Sequence, residues 1–461
     1  MAELRKDSLS FIETLGQSVA NVSPTLTPAL SVAVVAAIAG TASWLVFVIA
    51  TVALLIVGMN VGKLAKRIPA AGSFFLYVSR TMGPTMGMVS GWSMLAAYLF
   101  TAMALTVATS IFLKTMLSAL GVTLIPPNVV LYFAVSVLVF LFAARDIRVS
   151  ARIGLTLEAI SVAIILYVCY TVLARYGFKP DLPQLSFKGA NFSSIGPAIV
   201  LGIFSYVGFE SAATLAKETR NPGKTIPKAI QWTALLAGLF FIFTTLVIVQ
   251  GFGDDAAKLG ASGAPLADLL AGQSKYLIAL VYFGATVSSY ACALASINAF
   301  GRLLFSLGRY QFVHSSMGLV HKDHRTPYVA LAVGTGLNFI LTAVGAGLTE
   351  TTTYVWWATI ASYGFIVVYL LCSIAAPIYL RKTKELKIID VVVGLLGAGL
   401  MIYALYGSVY PVPAYPYNIF PYIFLAYMFF GMIWAIILRI RSPQTILGIK
   451  HDLETAEGAE K

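Results

Sequence analysis

The chain has 461 residues, of which 59% are hydrophobic and 11% are charged, and its formal net charge is +12. About a quarter of the residues in a soluble domain are charged, so this composition excludes an ordinary soluble protein and indicates an integral membrane protein. The basic residues lie at the ends of long apolar runs, which indicates membrane topology rather than binding to nucleic acid. All four histidines fall in predicted loops or in the C-terminal tail, away from any acid within a span, so we expect neither an enzyme nor a bound cofactor or metal.

Apolar runs recur along the chain, and a run needs roughly 20 residues to cross a bilayer. We predict an all-α membrane protein with twelve transmembrane helices, numbered here as spans, at approximately residues 10–38, 43–62, 85–118, 127–144, 153–175, 195–217, 228–251, 276–301, 327–346, 354–380, 388–409 and 419–439. If both termini are cytoplasmic, all but six of the 31 lysines and arginines lie on the cytoplasmic side. The positive-inside rule therefore predicts a multi-pass protein of the cell membrane with N- and C-termini in the cytoplasm.

Span 1 carries two prolines, Pro24 and Pro28, near its middle. Proline lacks a backbone N–H and its ring clashes with the preceding turn, so we expect the helix to open here. A second half-helix that begins near Thr25 would present unpaired N–H groups and the positive end of its dipole, which suits a carboxylate. The same prolines also fit a simple kink in a packing helix.

Spans 5 and 6 each carry a glutamate within an apolar run, where a charged side chain costs about 2.5 kcal/mol or more. Glu158, in span 5, either extends to the cytoplasm and pairs with a base or serves as a coupling or gating carboxylate. In span 6, Gly208 and Glu210 lie between Ser205 and Ser211. Such a stretch favours a helix break, which a membrane tolerates only where the freed backbone groups line a cavity or contact protein. We predict a discontinuous helix at a binding site, with Glu210 in either a coupling or a structural role.

Beyond this stretch, Pro222 and Pro227 are predicted to end helices in a cytoplasmic elbow. The loop after span 7 contains a short apolar helix at residues 262–270, which either covers the outer side of the site or only connects two spans.

Span 8 is rich in small and hydroxyl residues. Ala285, Ser288 and Ser289 have the spacing i, i+3 and i+4, so they share one helix face. Such a face serves either for close packing or as a cation site.

The two predicted breaks lie five spans apart, in spans 1 and 6. With this odd offset the second set of five spans enters the membrane from the opposite side, which is typical of two inverted repeats around a midplane site. The predicted units are a cytoplasmic N-terminus at residues 1–9, a ten-helix transport core at 10–380 with repeats at about 10–175 and 195–380, spans 11 and 12 at 381–440, and a cytoplasmic tail at 441–461.

Three segments resemble the amino acid-polyamine-organocation (APC) permeases: FSYVGFESAATLAKETRNPGKTIPKAI at residues 204–230, IPAAGSFFLYVSRTMGP at 68–84 and SSYACALASINAFGRLLFSLGR at 288–309. The first is similar to the sixth-helix signature of that superfamily, and the resemblance extends over about residues 8–440. It implies a LeuT-like 5+5 inverted repeat plus two C-terminal helices, with helices 1 and 6 discontinuous, and transport by alternating access.

The resemblance also implies a substrate site at the two breaks. In relatives, main-chain carbonyl groups hold the substrate amine, N–H groups of helix 1 hold its carboxylate, and an aromatic side chain, here Phe204, closes over it. The implied substrate-binding residues are Val22, Thr25, Leu26, Phe204, Val207 and Gly208. Many relatives have a glycine-rich break in helix 1, whereas this chain has Pro24-Thr25-Leu26-Thr27, so amines without an α-carboxylate stay open as substrates.

Several coupling modes stay open. Sodium-coupled members of the fold hold the ion between helices 1 and 8, and some proton-coupled relatives place a helix 5 lysine there. The matching positions here are Ala20, Ser23, Ser161, Ala285, Ser288 and Ser289. Because Ser161 stands where the lysine would be, a proton would instead be carried by Glu210 or Glu158, or the protein would exchange substrates.

We therefore predict a permease, a secondary active transporter of an amino acid or related amine, that is proton-linked or an exchanger. The alternatives are a sodium-coupled amino acid symporter, a polyamine or amine transporter, and a membrane nutrient sensor that binds without transport. The expected partners are the small-molecule substrate, H⁺ or Na⁺, and the lipid bilayer.

Overall fold

The structure, a computed structural model, describes residues 9–68, 73–145, 147–188, 191–216, 218–321, 324 and 326–441. Within these residues the secondary structure is helical, with one isolated parallel bridge between Leu9 and Thr219. The α-helices are α1 (Phe11–Val22), α2 (Val32–Ala39), α3 (Ser43–Arg67), α4 (Ser73–Met82), α5 (Pro84–Ala119), α6 (Asn128–Ala143), α7 (Ile147–Arg175), α8 (Leu182–Leu185), α9 (Ile195–Phe204), α10 (Pro222–Gly251), α11 (Ala256–Ala261), α12 (Pro265–Leu269), α13 (Lys275–Arg309), α14 (Tyr328–Val344), α15 (Glu350–Lys382), α16 (Ile388–Gly407) and α17 (Phe420–Arg441).

Several of these helices are long and apolar enough to cross a membrane. By length and composition, the described residues contain nine such segments: Phe11–Ala39, Ser43–Arg67, Pro84–Ala119, Glu158–Arg175, Pro222–Gly251, Lys275–Arg309, Glu350–Lys382, Ile388–Gly407 and Tyr417–Leu438. Shorter apolar helices, α6, α9 and α14, occupy the predicted positions of spans 4, 6 and 9. The protein is therefore a multi-pass helical membrane protein, and the number of twelve spans stays a prediction.

The helix ends follow local sequence chemistry. At the start of α1 the Ser10 N–H donates to Glu13 Oε2 (2.7 Å), and the Glu13 N–H points back to the Ser10 hydroxyl (3.5 Å). Pro222 occupies the first position of α10, where a backbone N–H would have no hydrogen-bond partner within the helix, so proline loses nothing there. The expectation that Pro222 and Pro227 end helices is wrong, because α10 begins at Pro222 and continues through Pro227.

Helix α5 is the centre of the bundle. Its most apolar stretch is 94% buried, whereas the corresponding stretches of α16 and α17 are 33% and 17% buried. Close packing of α5 against α15 depends on Gly364, where an added Cβ would lie 2.8 Å from the Ser93 carbonyl oxygen and 2.9 Å from the Ala97 Cβ. The Ser93 hydroxyl also donates to the Gly364 carbonyl (2.9 Å). Such small-residue contacts are the usual way in which membrane helices approach closely.

The two ends of the bundle are closed by different elements. At one end, called here the Leu9 end, the Leu9 N–H donates to the Glu218 carbonyl (2.8 Å) and the Arg220 N–H donates to the Leu9 carbonyl (2.9 Å). Arg302 of α13 forms an ion pair with Glu218 (3.1 Å), and both side chains are 5% exposed. At the opposite end, called the α12 end, α11 packs on α2 and α12 packs on residues 27–31.

We expect Gly364→Ala to destabilise the protein by about 1–3 kcal/mol, because the new methyl group meets backbone atoms of α5 that cannot rotate away. The matched control is Gly336→Ala, since a Cβ at Gly336 meets nothing within 4 Å. Thermal unfolding in detergent measures both variants. A Gly364→Ala protein as stable as Gly336→Ala would contradict this account of the α5–α15 contact.

Candidate functional site

The first membrane segment is interrupted just after α1. Ser23 adopts a left-handed conformation (φ 49°, ψ 68°), and Pro24 follows with no N–H to continue the helix. The Leu26 N–H donates to the Ser23 carbonyl (2.9 Å). A π-helical stretch, Thr27–Ser31, then leads into α2. The chain therefore begins a second half-helix at Thr25–Leu26, where the sequence predicts one.

The second interruption follows α9, which ends at Phe204. Residues 205–210 form successive turns rather than a helix, and a 3₁₀ stretch, Ser211–Leu215, follows. Gly208 has a φ of 95°, a conformation that residues with a side chain rarely adopt. Its missing side chain also makes room for Asn21, because a Cβ on Gly208 would lie 2.5 Å from the Asn21 Cγ.

The two interruptions therefore meet at one point inside the bundle. Near it, the Ala212 N–H donates to the Ser18 hydroxyl (2.9 Å). Helix α13 adds a third wall, because the Ser296 hydroxyl donates to Asn21 Oδ1 (2.8 Å) and the Cys292 thiol donates to the Asn21 carbonyl (2.8 Å). Ser18 and Asn21 are buried, as is the Gly208 position between them. This point is the candidate site.

Glu158 of α7 enters this site and contacts the start of the second half-helix. Its Oε1 accepts from the Thr25 N–H (3.1 Å) and from the Thr25 hydroxyl (2.8 Å). The side chain is 1% exposed, and its Oε2 has no hydrogen-bond partner within the described part of the chain. Glu158 thus points into the bundle and does not extend toward a solvated end. The sequence indicated both residues separately, but not that they pair.

Glu210 lies in the second interruption but points away from the first. Its Oε1 accepts from the Tyr98 hydroxyl (3.2 Å) and its Oε2 accepts from the Tyr369 hydroxyl (2.7 Å). These tyrosines belong to α5 and α15, and Glu210 is fully buried between them. Both carboxylate oxygens therefore have partners.

The residues predicted to hold a cation are divided between several contacts. The Ser23 and Ser288 hydroxyls lie 2.7 Å apart. The Ser289 hydroxyl instead donates to the Ala285 carbonyl (2.9 Å) of its own helix, and it accepts from Thr109 of α5 (3.0 Å). Two other residues were predicted to line the cation site. Ala20 is 5% exposed, and the Ser161 hydroxyl donates to the Gly284 carbonyl (3.2 Å).

An aromatic pair lies at the end of α9. The ring of Phe204, the residue predicted to close over the substrate, meets the ring of Tyr354 edge to face at 6.1 Å. The Tyr354 hydroxyl and the Ser31 hydroxyl form a hydrogen bond (2.9 Å). The other predicted substrate-binding residues, Val22, Leu26 and Val207, are at most 3% exposed. All of them therefore lie inside the bundle near the two interruptions.

Together, these features define a helical membrane protein built around a buried site at two helix interruptions. The chain matches the amino acid permease family over residues 15–442, and it belongs to that family. The APC resemblance of its sequence is thereby confirmed.

Curated relatives with different named substrates align over most of the chain. It is 24% identical to a branched-chain amino acid permease of Bacillus subtilis, BcaP, over 74% of each protein. It is 27% identical to a low-affinity putrescine importer of Escherichia coli, PlaP, over 75% of each. It is also 25% identical to a methylthioribose transporter of Bacillus subtilis, over 80% of this chain and 81% of that protein.

We expect Gly208→Ala to disrupt the contact between the two interruptions for two reasons. A side chain on a residue with this positive φ costs about 1–2 kcal/mol of stability, and the new methyl group collides with Asn21. Gly83→Ala is the matched control: Gly83 has a φ of 96°, but a Cβ there meets nothing within 4 Å. Gly208→Ala should lower the midpoint of thermal unfolding further than Gly83→Ala does. Equal losses would show that the contact with Asn21 contributes nothing.

Proposed function

We propose that this protein is a secondary active transporter that moves an amino acid or related amine across the cell membrane by alternating access. The observation that carries the proposal is the meeting of two interrupted helices at one buried site. Interrupted helices expose N–H and C=O groups at membrane depth, where they bind charged groups of a substrate. Membership of the amino acid permease family and the named activities of the relatives support the same proposal.

The architecture that goes with this function is a LeuT-like fold of twelve membrane helices. We place two inverted five-helix repeats at about residues 10–175 and 195–380, with helices 11 and 12 at 381–440. The positive-inside rule places both termini in the cytoplasm, so the Leu9 end faces the cell interior. In this arrangement the ion pair of Arg302 with Glu218 closes the inner side, and α11 and α12 cover the outer side.

In the proposed site, the substrate amine binds backbone carbonyls near Val22, Phe204 and Val207, beside Gly208. Phe204 closes over the bound substrate together with Tyr354. Coupling is either to protons or by exchange, with Glu210 and Glu158 as the carboxylates within reach of the two interruptions. A sodium-coupled symporter is the alternative, in which Ser23 and Ser288 contribute to the ion site.

Purified full-length protein in liposomes tests the proposal. Uptake of a labelled mixture of amino acids and amines is measured under a proton gradient, under a sodium gradient, and with neither but with unlabelled mixture inside. Accumulation in any arm supports a transporter, and the arm identifies the coupling. Binding of a mixture component without uptake in any arm would indicate a sensor and contradict the proposal.

We expect Glu210→Gln to lower proton-driven accumulation about tenfold or more while it leaves exchange intact, because glutamine cannot carry a proton. Its oxygen still accepts from one tyrosine hydroxyl, and its NH₂ group can donate to the other. Tyr98→Phe is the control, since it removes one hydrogen bond and keeps the carboxylate. Wild-type accumulation by Glu210→Gln, or a wild-type protein that responds to no proton gradient, would show that Glu210 has no coupling role.

A further inference from the structure

The start of the second half-helix has the donors that would bind a substrate carboxylate, but the protein itself occupies them. The two donors of Thr25 both bond to Glu158 Oε1. The Leu26 N–H bonds to the Ser23 carbonyl. Pro24 contributes no N–H at all. An incoming α-carboxylate therefore has to displace Glu158 before it finds a backbone donor at this position.

Charge opposes that displacement when Glu158 is ionised. Two carboxylates at one buried donor pair repel each other strongly, because little water is present to screen them. Glu158 would also lose its hydrogen bonds to the N–H and hydroxyl groups of Thr25. Moving a second anion into this position costs more than binding a neutral or positively charged group there.

The same geometry favours a cation beside Glu158. The side chain is 1% exposed and forms no ion pair with any described residue, and a buried carboxylate is stabilised mainly by an opposite charge. The Ser23 and Ser288 hydroxyls bond to each other in the same neighbourhood and offer further oxygen atoms. An alkylammonium group has three N–H donors and needs three acceptors. Sodium needs more oxygen atoms around it, and the hydroxyls of Ser161 and Ser289 bond to other groups. The position therefore suits an ammonium better than sodium.

The Thr27 hydroxyl is also buried and has no partner within the described residues. A hydroxyl donates as readily as it accepts, so it serves an amine and a carboxylate equally well.

Resting on the transport function proposed above, we infer that the substrate is an amine without an α-carboxylate, and that Glu158 takes the place of that carboxylate. Glu158 holds the donors of Thr25 through one oxygen, and its other oxygen adds an acceptor for the substrate ammonium beside the backbone carbonyls of the two interruptions. Glu158 is thus the residue that sets the choice between amines and amino acids.

Matched pairs of compounds that differ only in the α-carboxylate test this inference. We measure uptake of the labelled mixture of amino acids and amines into liposomes that contain the full-length protein. The unlabelled competitors are compared in pairs: putrescine with ornithine, cadaverine with lysine, and 3-methylbutylamine with leucine. We expect each amine to compete about tenfold or more better than its amino acid, because the amino acid brings a second buried anion. Equal competition, or better competition by the amino acids, would overturn the inference and leave the transport function intact. Uptake that none of these compounds inhibits would overturn the inference alone, whereas the absence of any uptake would overturn both.

A variant at Glu158 provides the second test. Glu158→Gln keeps an oxygen for Thr25 but removes the charge, so the ratio of amine to amino acid competition should fall about tenfold or more. A purely structural role would lower uptake of all compounds together and leave this ratio unchanged, which would also overturn the assignment. Thr171→Ala is the control on the same helix, since its hydroxyl only bonds back to the Val168 carbonyl.

Discussion

The interior of a membrane has no water to satisfy the backbone groups that an interrupted helix releases, and the centre of this protein is arranged around that constraint. The Ala212 N–H donates to the Ser18 hydroxyl, and the Leu26 N–H donates to the Ser23 carbonyl. The donors of Thr25 are satisfied by Glu158. Gly208 lets the second interruption approach closely enough for these contacts to form. Backbone groups at the two interruptions are therefore satisfied partly within each interruption, partly between the two, and partly by α7 and α13.

The two glutamates within the membrane have different surroundings, and this difference separates their roles. Glu210 has a phenol hydroxyl on each carboxylate oxygen, so its contacts join α5 and α15 to the second interruption. Glu158, in α7, contacts the first interruption through Oε1, and its Oε2 has no hydrogen-bond partner among the described residues. Glu210 therefore connects two helices to the second interruption, whereas Glu158 connects α7 to the first.

Local chemistry made the interruptions predictable, whereas the contacts between distant residues were not. Pro24 and Gly208 act on their own backbone, so the sequence alone indicates where each helix breaks. The pairing of Thr25 with Glu158 joins residues 133 positions apart, and nothing in a single sequence connects them. In span 8, the side chains of the neighbouring residues Ser288 and Ser289 point about 100° apart around the helix axis. Ser288 consequently contacts Ser23, and Ser289 contacts Thr109.

The relatives indicate which parts of the structure determine the substrate. Proteins named for branched-chain amino acids, for putrescine and for methylthioribose all align with most of this chain at similar identity. The helical scaffold that they share therefore does not by itself distinguish these substrates. Backbone carbonyls at the second interruption suit any substrate that carries an ammonium group. The first interruption is different, because the donors of Thr25 are already bound by Glu158. We propose that the charge of Glu158 decides what else can enter.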